Sequence, residues 1–368
     1  MKRLVYFLLS FFALLPAKSQ TGVSDAVLNY FRQVPKEQLH IQTDRPYYMA
    51  GDTVWLRIHT KDAATGKPLC HSRFAYVELY HQPTDSLCQR IMVKADADSV
   101  FATALFLPKK SKGGTYTLVA YTNWMRNFGA ELFCYKPITI ISSPSAASIP
   151  KALLATAATP DSCLNIGQRK GQLLIALNRN DTAPLRCVIY GSGNLLETEY
   201  LPPKVLRIDS RQLRTGMATV AMIGGNGTVV AERHVYIEGG NHATATITAT
   251  PTDKQKSPVT LTIDIKDEDG KPLAGHYAVS VADYNVVKPD TATLLPFQAP
   301  LQAKSIYPMA DILKARYPDI RFPMEKVQLI TGRVKGTLKE NIKHPDEEIK
   351  KYATIYDQLD MRTDLVMK

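Results

Sequence analysis

Three groups of residues in this 368-residue chain have types and spacings that could do chemistry. Asp267, Glu268 and Asp269 crowd carboxylates together, as acid/base pairs do when their surroundings push the two pKa values apart. They precede Gly270, however, in a stretch that reads as a turn, where carboxylates are solvated. Cys70, His71, His81 and Cys88 are zinc-ligand types, but they lack the closely spaced ligand pairs that zinc sites use. The third group is aromatic: Tyr47, Tyr48, Trp55, Tyr121 and Trp124, with Arg126 beside the last. Such side chains can stack on a sugar or anchor a peptide, or they can plug the end of a β-sandwich with one polar tip wet. The sequence has no Gly-x-Ser-x-Gly elbow, His-Glu-x-x-His pair, phosphate loop or dinucleotide fingerprint. The expectation is therefore a protein that is not an enzyme and uses no cofactor or metal, with partner binding at the aromatic set.

These residues must be positioned by strands. "TVWLRIHT" puts Val54, Leu56 and Ile58 on one face and Trp55, Arg57 and His59 on the other. "AYVELY" and "TYTLVAY" alternate in the same way. The layout of 54–80 returns at 259–284: an alternating strand ends in Lys-Asp, a Gly-Lys-Pro-Leu turn follows, and a second strand comes back. Between them, "GQLLIAL", "LRCVIY", "MATVAMI" and "TVVAERHVYI" read as four more strands, with "GGNG" at 224–227 turning the last pair. In "LRCVIY", Cys187 falls on the apolar face. Helices are few: 24–35, with Ser24 as N-cap and Pro35 as stop, 310–318, and a C-terminal one opening at "HPDEEIKKY". The fold class is all-β, a series of tandem fibronectin- or immunoglobulin-like sandwiches with a few short helices.

The N-terminus bounds the compartment. Lys2 and Arg3, an apolar run from Leu4 to Leu15, and Ala17-Lys18-Ser19 read as a secretory signal peptide over 1–19. Its removal takes three basic residues and no acid, lowering the net charge from +11 to +8. No later segment is long and apolar enough to span a bilayer. The basic residues are scattered, apart from "PKKSKGG" at 108–114, which excludes a nucleic-acid surface. Of the five cysteines, Cys70 and Cys88 flank a strand and could form a disulfide.

"TDRPYYMAGDTVWLRI" resembles the opening of the second macroglobulin domain of α2-macroglobulin-type proteins, and "KGGTYTLVAYTNWMRNFG" resembles its closing strand. The resemblance implies a seven-stranded sandwich over 39–145. The remainder is similar to short secreted macroglobulin-like proteins of Gram-negative bacteria, which end in a carboxypeptidase-regulatory-like domain. "VQLITGRVKG" looks like the start of that domain. The implied organisation is a helical lead-in at 20–38, sandwiches at 39–145 and 150–240, and a third β-domain at 241–290. A Pro-rich linker at 291–326 and a truncated or diverged final domain at 327–368 would follow. None of the cysteines lies in the thioester motif Gly-Cys-Gly-Glu-Gln, so covalent protease capture is not implied. The expected role is a protein- or glycan-binding scaffold in the periplasm, at the outer membrane or secreted. Its partner would be an envelope protein or glycan, a protease, or an outer-membrane receptor. Steric protease inhibition is the alternative, with 288–326 as the segment open to cutting.

Overall fold

The computed structural model describes residues 22–68, 71–96, 100–142, 163–178, 183–240, 243–250, 258–275, 277–281 and 305–326. The expected signal peptide and the C-terminal helix lie outside them, as does Cys70, the partner expected for Cys88.

The architecture is all-β. The first sandwich is built from β1 (Glu37–Thr43), β2 (Tyr47–Met49), β3 (Thr53–Asp62), β4 (Phe74–His81), β5 (Ser86–Lys94), β6 (Phe101–Phe106), β7 (Gly114–Tyr121) and β8 (Cys134–Ile141). One sheet has the order β1-β3-β6 and the other β2-β8-β7-β4-β5. That is eight strands rather than seven. Between β1 and β3 the chain leaves the first sheet, pairs Tyr47 to Met49 in parallel with Thr139 to Ile141 of β8, and returns. Val54, Leu56 and Ile58 face Val77, Leu79, Leu118, Ile138 and Ile140 across the core, as the period-two pattern dictates.

The second sandwich holds β9 (Leu164–Arg169), β10 (Gln172–Leu177), β11 (Leu185–Gly191), β12 (Asn194–Tyr200), β13 (Leu206–Asp209), β14 (Gly216–Gly224) and β15 (Val229–Ile237). Its sheets are β13-β10-β9 and β12-β11-β14-β15. Cys187 is fully buried in this core, and burial pushes its thiol up to about 12. The phenol of Tyr200, itself buried, accepts the Leu177 N–H at 2.9 Å and so joins the two sheets. Tyr200→Phe leaves that buried donor without its acceptor and is expected to cost about 1–3 kcal/mol. Urea unfolding would measure it, and an unchanged midpoint would remove the cross-sheet role.

A third unit contains β16 (Thr244–Ala249) paired with β17 (Leu261–Lys266). The repeat seen in the sequence is real at its turn. Asp62 and Asp267 each donate their N–H to a lysine carbonyl, of Lys67 or Lys271, and each accepts a glycine N–H, from Gly66 or Gly270, on the backbone oxygen. Both glycines have positive φ, +69° and +78°. The strands after the turn differ. β4 sits inside a five-stranded sheet, whereas 277–281, expected to be a return strand, is irregular.

The first copy of the turn joins the sandwiches. Ser192 and Gly193 donate their N–H groups to the carbonyls of Ala63 and Ala64, at 2.8 and 2.7 Å. The contact is so close that a Cβ on Gly66 would stand 2.8 Å from the Ser192 oxygen, and one on Gly193 would stand 2.7 Å from the Thr65 oxygen.

Beside this joint lies a core shared by both sandwiches. α1 (Val23–Gln33) contributes Val23, Val27 and Tyr30, and the second sandwich adds Val188, Tyr190, Ala221 and Ile223. Ile306, Tyr307, Met309 and Ile312 complete it, the last two from the short α2 (Met309–Leu313). Of the expected linker, and of the segment expected to be open to cutting, 305–326 forms a strap: 305–312 packs into this core, 314–326 continues mostly exposed, and 288–304 lies outside the described residues. α1 starts at an uncapped Gly22, not at Ser24, because the Ser24 hydroxyl donates to Glu197 of β12 at 2.7 Å and docks the helix instead.

Candidate functional site

The outward face of the five-stranded sheet carries an aromatic row built by strand alternation. Ala75, Val77 and Leu79 of β4 point into the core, which turns Tyr76, Glu78 and Tyr80 outward. Register sets Tyr121 of β7 opposite Tyr76, and Arg90 and Met92 of β5 opposite Glu78 and Tyr76. The Tyr76 and Tyr121 rings stack at 5.5 Å, and the Phe133 ring continues the row at 4.5 Å from Tyr121.

Glu78 is the charged centre of this face. Tyr80 and Tyr121 each donate a phenolic O–H to it at 2.6 Å, and the Arg90 guanidinium lies at the same distance. Burial alone would raise its carboxyl, but these three donors outweigh burial and hold it below the ordinary glutamate value. The carboxylate in turn pushes Tyr80 up to about 12, with burial adding to it. Tyr76 is raised to about 12, mainly by burial and then by its bond to Glu325. The phenols are therefore neutral donors and the carboxylate is saturated by them. Such a set offers rings, hydroxyls and an exposed guanidinium for recognition.

One end of the row already holds a peptide. The strap residues 321–325 run over it: Asn127 Oδ1 accepts the N–H groups of Arg321 and Phe322 at 2.8 and 2.9 Å, and its Nδ2 donates to the Phe322 carbonyl at 2.7 Å. Arg126 places its guanidinium 3.7 Å from the Phe322 ring centre, Asn123 donates to the Pro323 carbonyl, and Tyr76 donates to Glu325 Oε1 at 2.9 Å.

The aromatic set expected to bind partners is divided by the structure. Tyr121 and Arg126 belong to this row. Trp124 is buried, donating its indole N–H to the Pro35 carbonyl at 2.7 Å and meeting Phe128 edge-on. Tyr48 is buried as well: its O–H donates to Asp44 Oδ1 at 2.6 Å, and Arg45 ties Asp44 to Asp52. Tyr47 is half-buried in β2, and Trp55 stands exposed on the other sheet. Tyr76, Glu78, Tyr80 and Phe133 were not expected; the outward phase of "AYVELY" was the signal that carried the first three.

Among the described residues, no group of three or more His, Cys, Asp or Glu could hold a metal ion, and no helix is long and apolar enough to cross a membrane. His71 instead bonds Asp62 at 3.3 Å, and His81 bonds Thr84 at 2.9 Å. The Asp267 carboxylate accepts the N–H groups of Asp269 and Lys271, a role internal to its turn.

No protein-family model matches the sequence, and no curated protein matches it. Among solved structures it is similar to Salmonella alpha-2-macroglobulin reacted with methylamine, at 12% identity over 63% of this chain and 17% of that one, TM-score 0.24. It is similar to Escherichia coli alpha-2-macroglobulin activated by porcine elastase, at 11% identity over 64% of this chain and 23% of that one, TM-score 0.25. A beta-glucosidase from Listeria innocua in complex with glucose matches over 29% of this chain and 16% of that one, at 10% identity and TM-score 0.21. The chain spans less than a quarter of the length of each of these structures.

Proposed function

We propose that the chain is a non-enzymatic, macroglobulin-like scaffold working outside the cytoplasm, in the periplasm or at the outer membrane. Its task is to hold a peptide segment of an envelope protein on the row Tyr76–Tyr121–Phe133. The observation that carries this reading is the strap at 321–325, an irregular peptide recognised there through backbone and side chain alike. The row continues past the strap onto exposed Met92 and Tyr135, and β5 is the edge strand beside it. Aromatic side chains next to an edge strand suit a peptide that adds along the sheet. The signal-like residues 1–19 support the compartment.

The test is capture of an envelope protein by the exported chain, compared between two variants at exposed positions. Met92→Glu puts an unpaired charge beside Tyr76 and is expected to weaken capture about tenfold. Lys204→Glu, on the second sandwich, is expected to leave it unchanged. Equal capture by both variants, or no specific partner at all, would overturn the assignment.

A further inference from the structure

The opposite sheet of the first sandwich carries a second surface. Thr53 of β3 pairs with Phe106 of β6, and Trp55 pairs with Ala104, so Trp55 and Phe106 are diagonal neighbours on the outward face, opposite buried Val54 and Leu105. They are 62% and 69% exposed. At the same end of the sandwich, Met49 is 41% exposed at the start of the turn into β3. That turn and the loop after β6 form one surface. The Leu107 N–H donates to the Asp52 carbonyl at 2.8 Å, and the Lys109 side chain lies against Gly51. The loop presents exposed Lys109, Lys110 and Lys112.

The nearby acids Asp44 and Asp52 share the Arg45 guanidinium, at 3.1 and 3.3 Å, which leaves one negative charge there against three lysines. The third unit approaches beside Trp55, at Asp44 and Arg57. Tyr277 meets Arg57 through its carbonyl and Ser280 meets the Asp44 carbonyl, and Trp55 and Phe106 stay uncovered.

We propose that this end of the first sandwich docks on an anionic lipid surface. Trp55, Phe106 and Met49 enter the headgroup region while Lys109, Lys110 and Lys112 face lipid phosphates. Protein interfaces are depleted in lysine and seat their tryptophans in pockets. Here the rings are exposed on the outer face of the sheet and exposed lysines follow on the adjoining loop, which is the composition of an interfacial anchor. The net positive charge of the chain has the same sign as the patch. Trp55 and Phe106 are on the other sheet from the aromatic row, and Met49 is in β2, at the opposite edge of that row's sheet from β5, so the inference does not depend on the peptide partner proposed above.

The experiment is sedimentation of the exported chain with vesicles of phosphatidylcholine, with or without about 30% phosphatidylglycerol, at about 50 mM and about 500 mM salt. Binding is expected only to the anionic vesicles and only at low salt. Each lysine near such a surface contributes roughly fivefold in affinity, so Lys109→Glu, Lys110→Glu and Lys112→Glu together should lower it at least a hundredfold, roughly. The chain has two tryptophans, and Trp124 is buried. A blue shift of the emission on binding therefore reports Trp55, and it should vanish in Trp55→Phe. All these positions are exposed, and circular dichroism checks that the variants fold. The proposal is overturned by absence of binding at low salt, by equal binding of the triple variant, or by binding without a Trp55 shift. It is equally overturned if the patch variants abolish capture of a protein and leave vesicle binding intact.

Discussion

Replacing Tyr307 with alanine is expected to cost about 4 kcal/mol and to uncouple the two sandwiches. Tyr307 is 2% exposed at the centre of the shared core. Its ring lies 4.6 Å from that of Phe31 and meets Tyr30 edge-on at 6.2 Å, and the Lys36 ammonium sits over it at 4.9 Å. Its hydroxyl accepts the Lys36 N–H at 2.9 Å. Truncation removes the ring that α1 and the strap both pack on, and takes one acceptor from Lys36 besides. Neither sandwich loses a residue of its own core, since those clusters are separate. The expected readout is a single urea transition in the native chain that splits into two in Tyr307→Ala, with a larger radius of gyration by small-angle scattering. A variant that still unfolds in one step at the native midpoint would show that the strap does not couple the sandwiches.

The second large effect is on pH. His234 of β15 is buried against the strap; its Nδ1 shares a hydrogen bond with the Thr219 hydroxyl at 3.1 Å, and that hydroxyl also meets Ser305 at 2.7 Å. Among the described residues, its Nε2 has no hydrogen-bond partner. Burial, with a smaller contribution from the Lys61 charge, depresses the imidazole from 6.5 to about 4. The folded protein keeps this ring neutral while the unfolded chain takes up a proton below pH 6.5. Stability is therefore lost as pH falls from 6.5 to about 4, and levels off below that. The depression is worth about 3 kcal/mol. His40, also lowered to about 4, chiefly by burial, acts in the same sense. Glu232, whose carboxyl burial raises, acts in the opposite one, because its folded form holds a proton longer than the unfolded chain does. Urea midpoints at pH 7 and pH 4.5 should differ less in His234→Leu than in the native chain, by about 2 kcal/mol in free energy. Parallel losses in the two proteins would remove His234 as the source.

The sandwiches were legible because alternation leaves a mark on every residue. Once Val54, Leu56 and Ile58 share a face, Trp55 and Arg57 must point away, and the structure has them so. The repeated turn was legible because Gly66 and Gly270 each follow an aspartate that closes the loop. The strap was not. The short helix expected at 310–318 is there as α2, with Met309 and Ile312 on one face, but Ile306 and Tyr307 before it carry no period, and the prolines around them read as a linker, although the side chains fill a core. Trp124 misled for a related reason. An aromatic in a loop carries no phase, so "AYTNWMRNFG" could not show that one ring turns inward to Pro35 while Tyr121 stays in the outer row. Glu78 had a phase but no partners in its own strand segment beyond Tyr80. Tyr121 and Arg90 reach it from 43 and 12 residues away, a convergence made by sheet pairing alone.

The joint at Ala63, Ala64, Ser192 and Gly193 is made by main-chain groups, which every residue type but proline supplies in full. The side chains there are held as well: Ala63 and Ala64 are buried in the shared core, and Ser192, at φ +51°, is buried with its hydroxyl donating to the Met217 carbonyl. The tightest points are Gly66 and Gly193, where a single added carbon would collide with the opposing backbone. A lineage of such chains would thus carry its joint as two fixed glycines among small buried residues, and a change at either glycine would force the sandwiches to a new angle.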